Sequence, residues 1–296
     1  SLLAFFCGRK MQLTLGNFSM DLSRPRVMGV LNVTSDSFSD GGEFLSRDAA
    51  LKQAATMIAE GADILDVGGE STRPGAGEVS LAEEIDRVAP IIEILARENA
   101  VPVSVDTSKP EVMRAAVGAG ASMINDVFAL QRDGALQAAS ELPAAICLMH
   151  MRGTPKTMQQ EPCYESVLDE VSAFLGRRVA ACEAAGIERQ RLVIDPGFGF
   201  GKTDAHNLLL LRRIDTLVEM GLPVLVGLSR KRTLGNLTQR APKQRVAAGV
   251  AAAVLAVERG AHIVRTHDVA ATRDALAVLV ASAEVLTNYL QSESGE

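Results

Sequence analysis

What most constrains this chain is a repeated unit: a short apolar run that ends in a polar or charged side chain, followed by a longer stretch of helical period. The runs cover residues 27–32, 64–67, 103–106, 123–126, 144–150, 192–195, 224–227 and 262–265. Runs this uniformly apolar are buried on both faces, as parallel strands are when helices cover them. Segment 80–97 shows the helical half of the unit. There Ser80 and Glu83 have capping-box spacing, and Ile85, Val88, Ile92 and Leu95 fall on one face. Gly61, Gly120, Gly186, Gly221 and Gly260 each precede a strand, where a helix end takes a left-handed residue. Eight such units in 296 residues, without a compositional break, predict an α/β fold, a (β/α)8 TIM barrel. An open doubly wound sheet is the alternative. Residues 11–20 alternate around Gly16-Asn17 and are expected to form an N-terminal β-hairpin closing the bottom of the barrel. One catalytic domain is therefore expected over 11–291, with 1–10 a leader and 292–296 a tail.

Composition narrows the function. With 30 Lys and Arg against 36 Asp and Glu, the net charge of −6 argues against nucleic acid as a main partner. No apolar run approaches the roughly 20 residues of a spanning helix, so no membrane partner is expected. The apolar stretch 2–7 has Arg9 and Lys10 after it rather than before it, unlike a secretory signal. Cys7, Cys147, Cys163 and Cys182 show no CxxC spacing and read as reduced thiols of a cytoplasmic protein. No His, Cys and Glu set has zinc spacing.

A barrel carries its active site at the C-terminal ends of its strands. Here those ends read Asn32, Asp66, Asp106, Asn125-Asp126, Met149-His150, Asp195, Ser229-Arg230-Lys231 and Arg265-x-His267. A single Asp or Asn at such a place more often caps the next helix. Lys231, Arg265 and His267 do not make N-caps, which weakens that reading for the set. Asp106, Asn125, Asp195 and Lys231 are expected to converge on a ligand edge rich in N–H donors, such as a guanidine-like ring. Asn32, Arg265 and His267, on the adjacent first and eighth strands, form a cationic corner suited to phosphate or pyrophosphate. The glycine-rich loops 33–42 and 68–77, with Phe38 and Arg73, are expected to act as lids. Segment 197–203 imitates a phosphate-binding P-loop but has three residues between its first Gly and the Gly-Lys pair, where four are needed. It is expected instead to form a tight turn, with Phe200 near the mouth and Lys202 opening a helix. His206 and His262 read as structural, and Met149 and His150 suit either the mouth or the core.

These residues carry a resemblance. Residues 28–42, MGVLNVTSDSFSDGG, resemble the first signature of the dihydropteroate synthases, and residues 66–75, DVGGESTRPG, are similar to the second. Asp106-Thr-Ser-Lys, Asn125-Asp, Asp195-Pro-Gly-Phe-Gly-Phe-Gly-Lys, Ser229-Arg-Lys and Arg265-x-His267 follow in the family's order. The match is to the bacterial, monofunctional form. It implies condensation of 6-hydroxymethyl-7,8-dihydropterin diphosphate with para-aminobenzoate, giving 7,8-dihydropteroate and pyrophosphate in folate biosynthesis. Carried over by motif, Asp106, Asn125, Asp195 and Lys231 hold the pterin, with Met149, Phe200 and Gly227 around the ring. Asn32, Thr72, Arg73, Arg265 and His267 hold the diphosphate, and Asn32 also coordinates Mg²⁺. Phe38, Thr72, Pro74 and Ser229 shape the aminobenzoate pocket, which sulfonamides occupy in the family. Asn32, Asp106, Lys231, Arg265 and His267 are the catalytic set, and the resemblance implies a homodimer. Ser35 stands where the family usually carries Pro.

The substrate's chemistry suggests a dissociative, SN1-like substitution. The attacked carbon bears a diphosphate beside an electron-rich ring, so ionisation can run ahead of attack by an uncharged aniline-type nitrogen. Two other readings share the barrel: a pterin-binding methyltransferase module, and a pterin-binding barrel without catalysis. Neither needs the diphosphate corner or the two loop signatures.

Overall fold

The computed structural model describes residues 11–33, 43–70, 77, 79–98, 100–153 and 162–293. Strands β1 (Gln12–Leu15) and β2 (Phe18–Asp21) pair antiparallel as the expected hairpin. Gly16 makes the turn at φ 55°, in the left-handed region. Eight parallel strands follow: β3 (Arg26–Asn32), β4 (Ile64–Gly68), β5 (Val103–Asp106), β6 (Met123–Asp126), β7 (Ala145–Met149), β8 (Leu192–Asp195), β9 (Leu225–Val226) and β10 (Ile263–Thr266). Their order is β8-β7-β6-β5-β4-β3-β10-β9. A parallel bridge from Ile194 to Val224 joins the two ends, so the sheet closes on itself as the expected barrel.

Helices α1 (Glu43–Ala59), α2 (Leu81–Glu98), α3 (Pro110–Gly118), α4 (Ala135–Glu141), α5 (Val167–Ala184), α6 (Asp204–Arg212), α7 (Asp215–Val218), α8 (Arg232–Thr238), α9 (Val246–Glu258) and α10 (Val269–Glu293) complete the units. Helix α10 passes the expected limit of the domain at 291. At α2 only half of the capping box forms. Ser80 Oγ accepts from the Glu83 amide at 3.3 Å, while the Glu83 carboxylate turns to Arg87 instead of back to Ser80. Gly120 ends its unit at φ 112°, where an added Cβ would lie 2.5 Å from the Ala96 Cβ. Among the described residues, no helix is long and apolar enough to cross a membrane.

Strand alternation sorts the core into two layers. Outward residues such as Leu31, Leu65, Val67, Val105, Ile124, Ile146, Leu148, Ile194 and Val264 pack beneath the helices. Inward residues Met28, Ile64, Met123, Ala145, Val193, Leu225 and Ile263 pack with Leu13, Leu15 and Leu22 of the hairpin. The hairpin thus plugs one end of the barrel with apolar side chains. Each buried Leu stabilises by about 1.5–3 kcal/mol relative to exposure. The other end is left to polar groups.

Candidate active site

Two residues beyond this apolar layer, and four on β3, the inward positions turn polar. Asn32, Asp66, Asn125, Asp195 and Arg265 keep the inward parity of Met28, Ile64, Met123, Val193 and Ile263 on their strands, and Asp106 alternates with the outward Val103 and Val105 of β5. Register places Asp106 opposite Asn125, Asn32 opposite Gly68, and Met149 opposite Asp195. Gly68 separates Asn32 from Asp106. A Cβ there would sit 3.5 Å from the Asp106 Cβ and 3.8 Å from Asn32 Oδ1.

At the centre stands Arg265. Its Nε donates to Asp66 Oδ2 at 2.6 Å and its Nη2 to Asp106 Oδ2 at 2.8 Å. Asn125 Nδ2 donates to the same Asp66 oxygen at 3.0 Å. This corrects the expected division into an acidic half and a separate cationic corner, because Arg265 spans two carboxylates of the acidic layer. The cause is desolvation: Asp66 is buried and Asp106 is mostly buried, and a carboxylate withdrawn from water needs a counter-charge. Asp66 is the site residue that sequence reasoning left without a role. The signal was present, since a charge in the middle of the run Ile-Leu-Asp-Val-Gly must find a partner inside the barrel.

Burial pushes the Asp106 carboxyl up to about 7; Arg265 opposes the rise and Asp66 adds to it. Burial alone would weaken the Arg265 proton, but Asp66 and Asp106 outweigh it and hold the guanidinium charged. Asp195 is also raised by burial, against Lys231 and the Gly197 amide, which donates to its Oδ1 at 2.7 Å. Lys231 is lowered by burial to about 8 despite Asp195. Its Nζ donates to the Phe198 carbonyl and lies 4.6 Å from the centre of the Phe200 ring. Phe200 therefore stands near the mouth as expected, beneath the Lys231 ammonium.

The remaining expectations divide. Ser229 Oγ accepts from the His267 amide at 3.2 Å and lies 3.1 Å from His267 Nδ1, which joins the aminobenzoate and diphosphate candidates. Gly227 falls just past β9, beside Arg265, whose Cβ a Gly227 Cβ would meet at 3.7 Å. Asp126 turns away from the site and accepts from the Phe128 and Leu130 amides, both at 2.8 Å, so it ties the turn after its own strand and leaves the N-cap of the next helix to Gly134. His150 belongs to the core, edge-on to Phe174 at 4.9 Å. Lys202 does not open the helix. Thr203 caps α6 with His206 reciprocating, and the Lys202 side chain is buried. At the second loop, Val79 N donates to Glu70 Oε1 at 3.2 Å, and Lys109 Nζ donates to Glu70, Glu84 and the Val79 carbonyl. Phe38, Thr72, Arg73 and Pro74 lie outside the described residues, as does most of both candidate lids.

A barrel whose polar end gathers carboxylates, an amide and two cations defines an enzyme for a small, nitrogen-rich ligand. A family model described as pterin binding enzyme matches residues 28–267. The dihydropteroate synthase of Escherichia coli K12 is 50% identical over 278 residues, covering 94% of this chain and 99% of that protein. A Yersinia pestis dihydropteroate synthase structure with a sulfonamide drug complex superimposes with TM-score 0.89 at 49% identity, over 93% of this chain and 100% of that one. A Xanthomonas albilineans dihydropteroate synthase in complex with 7,8-dihydropteroate gives TM-score 0.83 at 49% identity, over 92% and 98%. The chain belongs to the pterin-binding enzymes and, among them, to the dihydropteroate synthases. It is a transferase of folate biosynthesis, joining the pterin diphosphate to para-aminobenzoate with release of pyrophosphate.

Proposed function

We propose that the polar end of the barrel performs this condensation by dissociative substitution, with Asp106, Asn125, Asp195 and Lys231 holding the pterin edge. The observation that carries the reading is the inward layer itself, in which Asp106, Asn125, Asp195 and Arg265 come from separate strands to one mouth, and Lys231 joins them from the turn after β9. Carboxylates and an amide oxygen accept the N–H donors of the ring, while Lys231 donates to its carbonyl oxygen. Met149, Phe200 and Gly227 enclose the ring. Held this way, the reduced ring can stabilise the cation left when the carbon–oxygen bond breaks. Asn32, Thr72, Arg73, Arg265 and His267 bind the departing diphosphate, and Phe38, Thr72, Pro74 and Ser229 hold the aminobenzoate, or a sulfonamide in its place. The amine attacks with its own lone pair and then loses a proton, so no strong base is required.

Among the described residues, no group of three or more His, Cys, Asp or Glu could enclose a metal. Mg²⁺ on a diphosphate keeps waters and takes few protein ligands, so one hard protein oxygen is the donor it would need. Asn32 offers a hard amide oxygen on the strand next to Arg265. When bound, the ion would neutralise charge on the leaving group. Pyrophosphate release on mixing both substrates with Mg²⁺, abolished by omitting either substrate, tests the reading; a pterin ring bound without release would overturn it.

Homodimer formation belongs to the same proposal. Val278, Val285, Leu286 and Tyr289 on α10 and Leu255 on α9 are exposed apolar side chains on helices that pack together. Sedimentation as a monomer at micromolar concentration would contradict it. A cytoplasmic location, where the free thiols of Cys147, Cys163 and Cys182 stay reduced, completes the reading.

A further inference from the structure

The turn after β8, which imitates a P-loop in sequence, is built around a buried lysine. Lys202 Nζ lies 2.8 Å from His150 Nδ1, 2.9 Å from the Gly197 carbonyl, 3.1 Å from the Phe200 carbonyl and 3.3 Å from the His150 carbonyl. The residue is 1% exposed. The backbone closes so tightly that a Cβ on Gly197 would meet the His150 carbonyl oxygen at 1.9 Å, and one on Gly201 the Arg152 carbonyl oxygen at 2.4 Å.

What this turn presents to the mouth is specific. Its Gly197 amide orients Asp195, its Phe198 carbonyl takes the Lys231 ammonium, and its Phe200 ring lies under that ammonium. One side chain therefore gathers the carbonyls on either side of the group that binds Lys231. We propose that Lys202, accepted by His150, is a positioning residue of the transfer reaction, folding the 197–201 turn so that Asp195 and Lys231 face one pterin edge. The proposal rests on the assignment of Asp195 and Lys231 to the pterin.

His150 is suited to the acceptor role. Burial, followed by the Lys202 charge, pushes its imidazole down to about 3, so the ring is neutral, and the tautomer with its proton on Nε2 leaves Nδ1 to accept from Lys202. Burial pushes the Lys202 ammonium well below the ordinary lysine range while Asp195 opposes that fall, and the Lys202 charge in turn is among the influences that oppose the burial-driven rise of the Asp195 carboxyl. Neither residue touches the ligand edge in this scheme; both act through backbone carbonyls.

The test is steady-state kinetics and a pH profile on Lys202→Met, His150→Asn and His150→Leu, with Asp195→Asn and Lys231→Met as controls. Lys202→Met is expected to raise KM for the pterin diphosphate about 10-fold or more, as small misplacements of binding groups do, while KM for para-aminobenzoate stays within about 2-fold. The alkaline limb of kcat/KM moves to lower pH, because the carbonyl that holds the Lys231 charge is displaced. His150→Leu behaves likewise, and His150→Asn, whose Oδ1 replaces Nδ1, restores the pterin KM. These two variants decide the matter if Lys202→Met does not fold. An unchanged pterin KM and an unmoved limb in folded Lys202→Met, or equal KM in both His150 variants, overturns the proposal. If the Asp195 and Lys231 controls raise the pterin KM and Lys202→Met does not, the positioning role alone fails. If the controls leave that KM unchanged, the pterin assignment fails with it.

Discussion

Arg265 and Asp66 meet across 2.6 Å, Nε to Oδ2, although 199 positions separate them in the chain. Asp66 is fully buried and shares that same oxygen with Asn125. Removing one member of a buried pair leaves a charge without compensation and typically costs about 3–5 kcal/mol. Asp66→Ala should therefore destabilise the protein by about that amount in urea unfolding, and Asp66→Asn, which keeps an acceptor oxygen, by less. Equal stability of Asp66→Ala and the parent protein would show that the pair is not the counter-charge it is taken to be.

Arg265 has a second task in the proposed reaction. A preorganised donor to a developing anion is worth about 2.7–4 kcal/mol, so Arg265→Ala should lower turnover by roughly 10²–10³-fold. Single-turnover pyrophosphate release isolates this step from substrate binding. Unchanged turnover would remove Arg265 from the leaving-group role.

The pH profile should be narrow. As pH falls through about 7, Asp106 takes up a proton and loses its acceptor character; as pH rises through about 8, Lys231 loses the proton it donates. kcat/KM for the pterin diphosphate should fall on both sides of that window. Asp106→Asn should abolish the acid limb and Lys231→Met the alkaline one. Limbs that persist in both variants would assign them to other groups.

Acid should weaken the fold through two buried imidazoles. His262, which accepts from the Val224 amide at 3.2 Å, is pushed down by burial to about 4, and His150 by burial and Lys202 to about 3. Below the ordinary histidine value near 6.5, the unfolded chain takes up protons that the folded protein refuses. Stability contributed at neutral pH is thus lost as pH falls towards about 4, by up to about 1.4 kcal/mol per unit for each histidine. Denaturant midpoints between pH 7 and 4 measure it, and His262→Asn should flatten the slope.

The hairpin plug should be separable from catalysis. Leu13 and Leu15 are completely buried at the apolar end of the barrel, away from the polar layer. Leu15→Ala should cost about 2–5 kcal/mol of stability, with KM for both substrates little changed at a temperature where the variant is folded. A large KM effect at unchanged stability would mean that the plug reaches the site.

Much of this was legible along the chain because it is local or periodic. The apolar runs, the left-handed glycines before five of the strands and the Gly16 hairpin depend on neighbouring residues, and they appear where expected. Strand ends were harder. Asn125 and Asp126 are adjacent and chemically alike, yet one faces the mouth and the other caps its own loop, since successive strand residues point to opposite sides. Lys202 read as a helix opener because its partners, at His150 and in the turn before it, come together only in the folded barrel.

On its own, the sequence determined the repeating unit, the closed barrel it implies and the end at which chemistry collects, because alternation and helical period are written in each segment. Tertiary structure decided the pairings: Arg265 with Asp66 and Asp106, Lys231 with the Phe198 carbonyl, Lys202 with His150. Those are settled by desolvation, which leaves every buried charge to take whichever opposite charge or dipole the closing barrel brings within reach.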